Sequence, residues 1–222
     1  MPEMIILAVA SGRGIGKSAL VAWIILWMLS TRLGGTIIVT ANTEQQLRSR
    51  TWAELGKWLT LSIHSHWFAK TATTIKPAQW FEEALVRDLK IDTGYYYAQA
   101  QLWSEENPDA FAGIHSSYGV CLIMDEASGI DDSIYDIIQG SFTQRNNKIV
   151  LTGNPTRTSG FFADSHKRHR RQWKTFKFSS EDSPNVDPEV IQHFKEKYGV
   201  NHNLYKVHIQ GEFPSSDPDA FI

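Results

Sequence analysis

Cysteine is nearly absent: the chain of 222 residues has one, Cys121. A single thiol excludes an intramolecular disulfide framework and any zinc site built on cysteine pairs. Because Cys121 lies within the apolar run Val120 to Met124, it reads as a small core residue of a reducing compartment. An excess of charge is also missing, with 22 Lys and Arg against 24 Asp and Glu. Overall composition therefore does not point to nucleic acid, and any basic surface must be local. Long hydrophobic runs are missing as well. Ala19 to Leu29 is about half of what a bilayer core of ~30 Å requires, and the opening Met-Pro-Glu has no basic segment, which argues against a secretory signal. The expectation is a cytoplasmic protein without a membrane partner. The eight histidines show no compact ligand spacing, and His64 with His66 lacks further partners, so no structural zinc is expected. No Gly-x-Ser-x-Gly elbow is present, which removes a triad hydrolase. With 42% hydrophobic residues the chain can bury one sizeable core without staples, and a single domain is the default.

What is present is concentrated in residues 11 to 18, Ser-Gly-Arg-Gly-Ile-Gly-Lys-Ser. A polyphosphate wrapped by main chain needs several inward N–H groups at close range, and Gly12, Gly14 and Gly16 keep that wall bare. A helix starting near Lys17 adds its positive N-terminal end. Lys17 offers an ammonium to the β- and γ-phosphates, and the hydroxyl of Ser18 is placed to ligate Mg²⁺, which takes hard oxygens at about 2.1 Å. The expected nucleotide-binding set is Ser11, Gly12, Arg13, Gly14, Ile15, Gly16, Lys17, Ser18 and Ala19, with ATP and Mg²⁺ as ligands. Ser11 stands where the strict pattern has glycine. A plain glycine turn is the alternative, but the apolar run Met4 to Ala10 before it and the helix-favouring Ala19 to Leu29 after it supply strand, loop and helix in the required order.

Beyond the first helix, Gly34-Gly35 breaks the chain and Thr36 to Ala41 reads as a second strand, the βαβ signal of a parallel sheet. Thr43 is positioned to cap a helix with Gln46 three residues on, and Trp52, Leu55, Trp58 and Leu59 form an apolar stripe that reads as packing rather than base stacking. Residues 62 to 103 are mixed in pattern; the alternation from Tyr97 to Trp103 suggests strands near the sheet edge or in an insertion. Asn107 to Gly113 opens as a turn.

Two further strands end in polar groups. Gly119 to Met124 is apolar and stops at Asp125-Glu126, which places both carboxylates at the carboxyl edge of a parallel sheet, where the phosphate loop also lies. Asp125 can hold Mg²⁺ beside Ser18, and Glu126 can orient a hydrolytic water. A helix cap is the competing reading of the pair. Lys148 to Leu151 leads into Thr152-Gly153-Asn154-Pro155, where Thr152, Gly153 and Asn154 are candidates for coupling the state of the γ-phosphate to the rest of the domain. An ordinary Asn-Pro turn is the alternative.

Taken together, Ser-Gly-Arg-Gly-Ile-Gly-Lys-Ser, Leu-Ile-Met-Asp-Glu-Ala, Leu-Thr-Gly-Asn-Pro and the closing Val207-His-Ile-Gln-Gly-Glu-Phe-Pro214 resemble the ATPase domain of the large subunit of tailed-bacteriophage terminases, the motors that package DNA. The resemblance runs over nearly the whole chain. It implies an α/β P-loop NTPase fold, a largely parallel sheet flanked by helices with an irregular β-containing insertion at 62 to 103. It also implies ATP hydrolysis coupled to translocation of double-stranded DNA, with the small subunit, the portal and a homo-oligomeric ring as partners. Set against the family, the chain starts close to the phosphate-loop strand and stops soon after Gly-Glu-Phe-Pro. The expectation is one ATPase domain over 1–222, with about 205–222 beginning a linker toward an absent nuclease domain, in a phage or prophage product. A helicase-like ATPase and a truncated remnant that binds nucleotide without turnover are the alternatives.

Among the cations, Arg13 is a candidate for stabilising charge on the transferred phosphoryl group, alongside Lys17 and Glu126 as catalytic residues. Arg145 and Arg157 are possible donors to a neighbouring subunit. His166-Lys-Arg-His-Arg-Arg171, read as helical, and Arg48 with Arg50 are candidate contacts to DNA phosphates, or solvated faces of their helices.

Overall fold

The computed structural model describes residues 5–103, 114–141 and 146–215. The turn expected at Asn107 to Gly113, Arg145 and the last residues of the expected linker lie outside the described residues. The strands are β1 (Ile5–Ser11), β2 (Thr36–Thr40), β3 (Phe68–Lys70), β4 (Thr74–Pro77), β5 (Tyr97–Ala100), β6 (Val120–Asp125), β7 (Lys148–Gly153) and β8 (Lys174–Phe178). The α-helices are α1 (Lys17–Thr31), α2 (Glu44–Gln46), α3 (Ala53–Leu61), α4 (Gln79–Leu89), α5 (Asp132–Ser141), α6 (Phe161–His166), α7 (Pro188–Tyr198) and α8 (Asn203–Tyr205), with π-helical turns at Leu47–Trp52 and Lys206–Gln210. The architecture is mixed α/β, an eight-stranded and mostly parallel sheet flanked by helices. The chain divides into two compact units, one holding Ser18–Asp125 and Ser133–Ile149, the other Ile6–Lys17, Glu126–Asp132 and the chain from Val150 onward.

In the first unit the strands run in the order β3-β4-β5-β2-β6. β2 lies parallel to both β5 and β6, with Thr36 opposite Tyr97 and Val120, and Thr40 opposite Met124. Its sequence Thr-Ile-Ile-Val-Thr is β-branched throughout and buried throughout, as a strand covered on both faces requires. Helix α1 buries Val21, Ala22, Ile25, Met28 and Leu29, a stripe at helical spacing. Val21, Ile25, Met28 and Leu29 each contribute roughly 1.5–3 kcal/mol when fully removed from water. The hydroxyl of buried Tyr96 donates to the Leu29 carbonyl and ties this helix to the start of β5.

The Thr43 cap forms as the sequence suggests, its hydroxyl accepting from the Gln46 N–H at 3.1 Å. The helical run it opens is not uniform, because residues 47–52 widen into a π-helical turn. Leu47, Thr51 and Trp52 of that turn are buried, as are Leu55 and Leu59 beyond it. The tryptophan stripe is thus packing, and Trp58 meets Trp23 of α1 edge to face at 4.9 Å. The stretch 62–103 is more regular than its pattern suggests. β3 and β4 pair antiparallel, β4 pairs antiparallel with β5, and α4 buries Phe81 and Leu85. All three strands extend the sheet beyond β2, so this stretch belongs to the sheet itself. Strands of three and four residues are too short to show alternation in the sequence.

In the second unit the order is β7-β1-β8. β1 and β8 are parallel, from Leu7 opposite Lys174 to Ser11 opposite Phe178. Helix α7 starts where Asp187 accepts from the Glu189 N–H at 2.9 Å with Pro188 in the first turn, and it stops at Gly199. One expectation is corrected here. Helix α6 ends at His166, so Lys167 to Arg171 occupy a turn rather than a helix face. Glycine-free though it is, that stretch stops being helical because the Lys167 and His169 N–H groups both fold back on the Asp164 carbonyl.

Candidate functional site

Strand, loop and helix follow one another as the motif requires: β1 ends at Ser11 and α1 begins at Lys17. The three glycines of the loop have different jobs. Gly14 and Gly16 take φ of 75° and 92°, a region that penalises side chains. A Cβ on Gly16 would meet no atom within 4 Å, so that wall is open. Gly12 departs from the expectation of a bare wall for a ligand. A Cβ there would lie 2.3 Å from the Ile209 carbonyl oxygen and 2.3 Å from Ser180 Oγ, so its lack of a side chain serves the chain's own packing. The first half of the loop is bolted down: the Gly12 N–H donates to the Phe178 carbonyl at 3.0 Å, the Arg13 N–H to the His208 carbonyl at 2.8 Å, and Ser180 Oγ to the Arg13 carbonyl at 2.7 Å. The N–H groups of Gly14, Ile15 and Gly16 have no acceptor among the described residues. They immediately precede the N-terminus of a helix of 15 residues, the arrangement that receives anions.

Lys17 Nζ donates to the Gly12 carbonyl at 3.2 Å and to Asn154 Oδ1 at 3.4 Å. Asn154 is buried, and its Nδ2 donates to the Ser11 carbonyl at 2.6 Å. The candidate coupling residue therefore touches the loop and its lysine directly. Ser128 Oγ donates to the Asn154 carbonyl at 2.7 Å, joining the end of β7 to the turn that follows Glu126. A Cβ on Gly153 would sit 3.1 Å from the Ala127 nitrogen and 3.5 Å from Glu126 Cα. Thr152 is fully buried within β7. Phosphate loop, lysine and the Glu126 turn are thus joined through two consecutive residues, Gly153 and Asn154.

Glu126 has φ 54° and ψ 42°, the left-handed region, which costs an L-residue with a long side chain about 1–3 kcal/mol. It heads the 3₁₀ turn Ala127–Gly129, yet its side chain makes no capping hydrogen bond, and α5 begins only at Asp132. Glu126 thus stands at the head of the turn without capping it through its side chain. Arg13 is exposed, with Nη2 3.5 Å from His208 Nε2. Burial, and then the positive charges of Arg13 and Lys17, hold the His208 imidazole below the usual histidine range, so at neutral pH it is uncharged.

Ser18, Ala19 and Asp125 belong to the first unit. Asp125 closes β6, is 6% exposed, and accepts a hydrogen bond from Thr51 Oγ1 at 2.7 Å. A serine hydroxyl and an aspartate carboxylate are hard oxygens of the kind Mg²⁺ selects, so the donor set fits that ion. The sequence reading missed Thr51. Its signal was absent because a π-helical turn shifts the side-chain phase that a 3.6-residue period assumes. Also missed were Thr40 Oγ1, Asn42 Oδ1 and Gln46 Oε1 at the end of β2 and the start of α2, buried and without a partner among the described residues. Of the candidate DNA contacts, Arg48 pairs with Glu44 at 2.7 Å and Arg168 with Asp164 at 2.6 Å, while Arg50, Arg170 and Arg171 are exposed, as is Arg157, the possible donor to a neighbouring subunit.

No protein-family model matches the chain. A protein described as "Probable terminase, large subunit" from Enterobacteria phage P7 is 30% identical over 224 residues, which span 97% of this chain and 43% of that protein. The large terminase of a thermophilic bacteriophage superposes with a TM-score of 0.68 at 14% identity, over 94% of this chain and 48% of that one. The ATPase domain of the Thermus phage P74-26 large terminase gives 0.63 at 14% identity, over 93% of this chain and 87% of that one. At such identities the superpositions speak for the fold, which is that of the P-loop NTPases. The chain spans less than half the length of the curated relative it matches. Along nearly its whole length it is a homologue of the phage terminase large subunit, with the fold of the ATPase domain.

Proposed function

We propose that this chain hydrolyses ATP and couples the reaction to movement of double-stranded DNA during packaging of a phage genome in the host cytoplasm. The observation that carries the reading is the half-bolted loop. Gly12 and Arg13 spend their N–H groups on the protein, while those of Gly14, Ile15 and Gly16 are left for a ligand at a helix N-terminus beside Lys17. The large terminase of the same thermophilic bacteriophage has been solved with ADP and with ATP-gamma-S, which supports ATP as the nucleotide here. Lys17 would exchange its bonds to Gly12 and Asn154 for phosphate oxygens, and Arg13 is the second cation of the loop. Bound Mg²⁺, held by Ser18 and Asp125, would neutralise charge on the β- and γ-phosphates. Glu126 would orient the attacking water and accept its proton, and its left-handed backbone sets the direction in which the side chain leaves the end of β6. Release of Lys17 by Asn154 gives Thr152-Gly153-Asn154 a direct way to register an arriving phosphate. Arg48, Arg50 and the turn from Lys167 to Arg171 are the proposed contacts to DNA phosphates; the terminase small subunit, the portal and further copies of the chain are the proposed partners.

The test is Mg²⁺-dependent ATP hydrolysis with and without double-stranded DNA. Glu126→Gln is expected to bind nucleotide normally and to lose turnover by about 10²–10⁴-fold, the usual contribution of a general base, whereas Lys17→Ala weakens both. Absence of turnover in a folded wild-type sample that binds ATP would replace this reading with nucleotide binding alone.

A further inference from the structure

We infer that Thr51 is a positioning residue for the carboxylate of Asp125, held in place by the π-helical turn Leu47–Trp52. The inference rests on the reading of Asp125 as a magnesium ligand. Thr51 Oγ1 donates to Asp125 Oδ2 at 2.7 Å, and the two residues are 1% and 6% exposed. With water excluded, this bond is not averaged against solvent, and it restrains the Oδ2 side of the Asp125 carboxylate.

The neighbouring hydroxyls show that the bond is a departure from habit. Ser30 and Thr31 of α1, Ser49 of the same π-helical turn and Thr60 of α3 each donate to the carbonyl four residues back, the local outlet for such groups. Thr51 instead spends its hydroxyl on β6, far along the chain. The backbone is adapted to allow this. α-Helical geometry holds at 44–46 and 53–61, and the widened turn between them brings Leu47, Thr51 and Trp52 inward together while Arg48 and Arg50 stay exposed. Trp52 anchors the far end of the turn, buried and with Nε1 donating to the Thr71 carbonyl at 3.3 Å. π-Helical turns inside α-helices concentrate at functional sites because they aim a side chain that regular geometry would misplace.

A group that hydrogen-bonds a metal-holding carboxylate typically changes metal affinity by about 10–100-fold when removed. Mn²⁺ serves as the probe. Its binding to the full chain in the presence of ADP is read from the electron paramagnetic resonance signal of the free ion, and nucleotide affinity without metal is read separately. Thr51→Val, nearly equal in volume, is expected to weaken Mn²⁺ about 10–100-fold with metal-free ADP affinity unchanged, and Thr51→Ser to restore wild-type affinity. Should Val at this position prevent folding, Thr51→Ala against Thr51→Ser makes the same comparison. Equal Mn²⁺ affinities with and without the hydroxyl overturn the role of Thr51 alone. Wild-type chain that binds ADP but takes up no Mn²⁺ overturns the assignment of Asp125, and this inference with it.

Discussion

Replacing Gly153 with alanine should report whether the end of β7 mechanically controls Glu126. Gly153 is not among the glycines with positive φ, so alanine is compatible with its backbone and the whole effect must come from contact. The new Cβ would stand 3.1 Å from the Ala127 nitrogen, 3.4 Å from the Glu126 carbonyl carbon and 3.5 Å from Glu126 Cα. Comfortable separation between such atoms is about 3.5–4.0 Å, so a shift of a few tenths of an ångström is forced on backbone atoms. Overpacking of this kind costs about 1–3 kcal/mol. For a chain of this length each kcal/mol lowers Tm by about 2–4 °C, so a fall of roughly 2–12 °C is expected in a thermal melt. Because Glu126 already sits in a strained conformation, the turn rather than the buried strand should yield, and the displacement grows along the glutamate side chain. A misplacement approaching 1 Å costs about 10²-fold in rate. In an ATPase assay kcat should therefore fall by about tenfold to a hundredfold, while nucleotide affinity, set by the loop, stays near wild type. A variant with the lowered Tm and an unchanged kcat would refute the mechanical link. So would one in which affinity collapses and kcat is preserved, since then β7 moved and the Asn154 contacts to Ser11 and Lys17 were what gave way.

Glu126→Asn should hold or raise Tm while abolishing turnover, because asparagine tolerates the left-handed region that glutamate enters at a cost of about 1–3 kcal/mol; a clear loss of stability would show that the Glu126 side chain supports the fold. Folding should weaken in mild acid. Burial, the leading cause, holds both His166 and His208 below the ordinary value of 6.5. The unfolded chain then takes up protons before the folded chain does, so the stability present above about pH 6.5 is lost as pH falls below it. Thermal melts across that range should show the decline, and a His166→Asn, His208→Asn double variant should flatten it; an equal slope in the double variant would assign the acid sensitivity to carboxylates instead.

What the sequence made legible was whatever depends on short contiguous patterns. Strand, glycine loop and helix around residues 5 to 31, the Thr43 cap and the two strands ending at Asp125 and Gly153 are local events, each decided by residues within one turn or one strand of each other. Three things depend on partners distant in the chain, and these the pattern could not show. Gly12 looks like its neighbours in the motif, but its bareness answers to Ile209 and Ser180, more than 160 positions away. Asn154 could be read as a turn residue until its amide is seen on the Ser11 carbonyl and its oxygen on Lys17. Thr51 carries no signal at all, since a threonine within an amphipathic helix is ordinary and only the π-helical turn directs it to Asp125. In each case the motif marks a residue type for chemistry, while the fold decides which neighbour its polar atom meets. A glycine-loop motif alone therefore does not predict the division of labour among its own residues. Here that division leaves the Gly12 and Arg13 N–H groups bonded to the protein and those of Gly14, Ile15 and Gly16 without an acceptor among the described residues, a difference that no composition or spacing encodes.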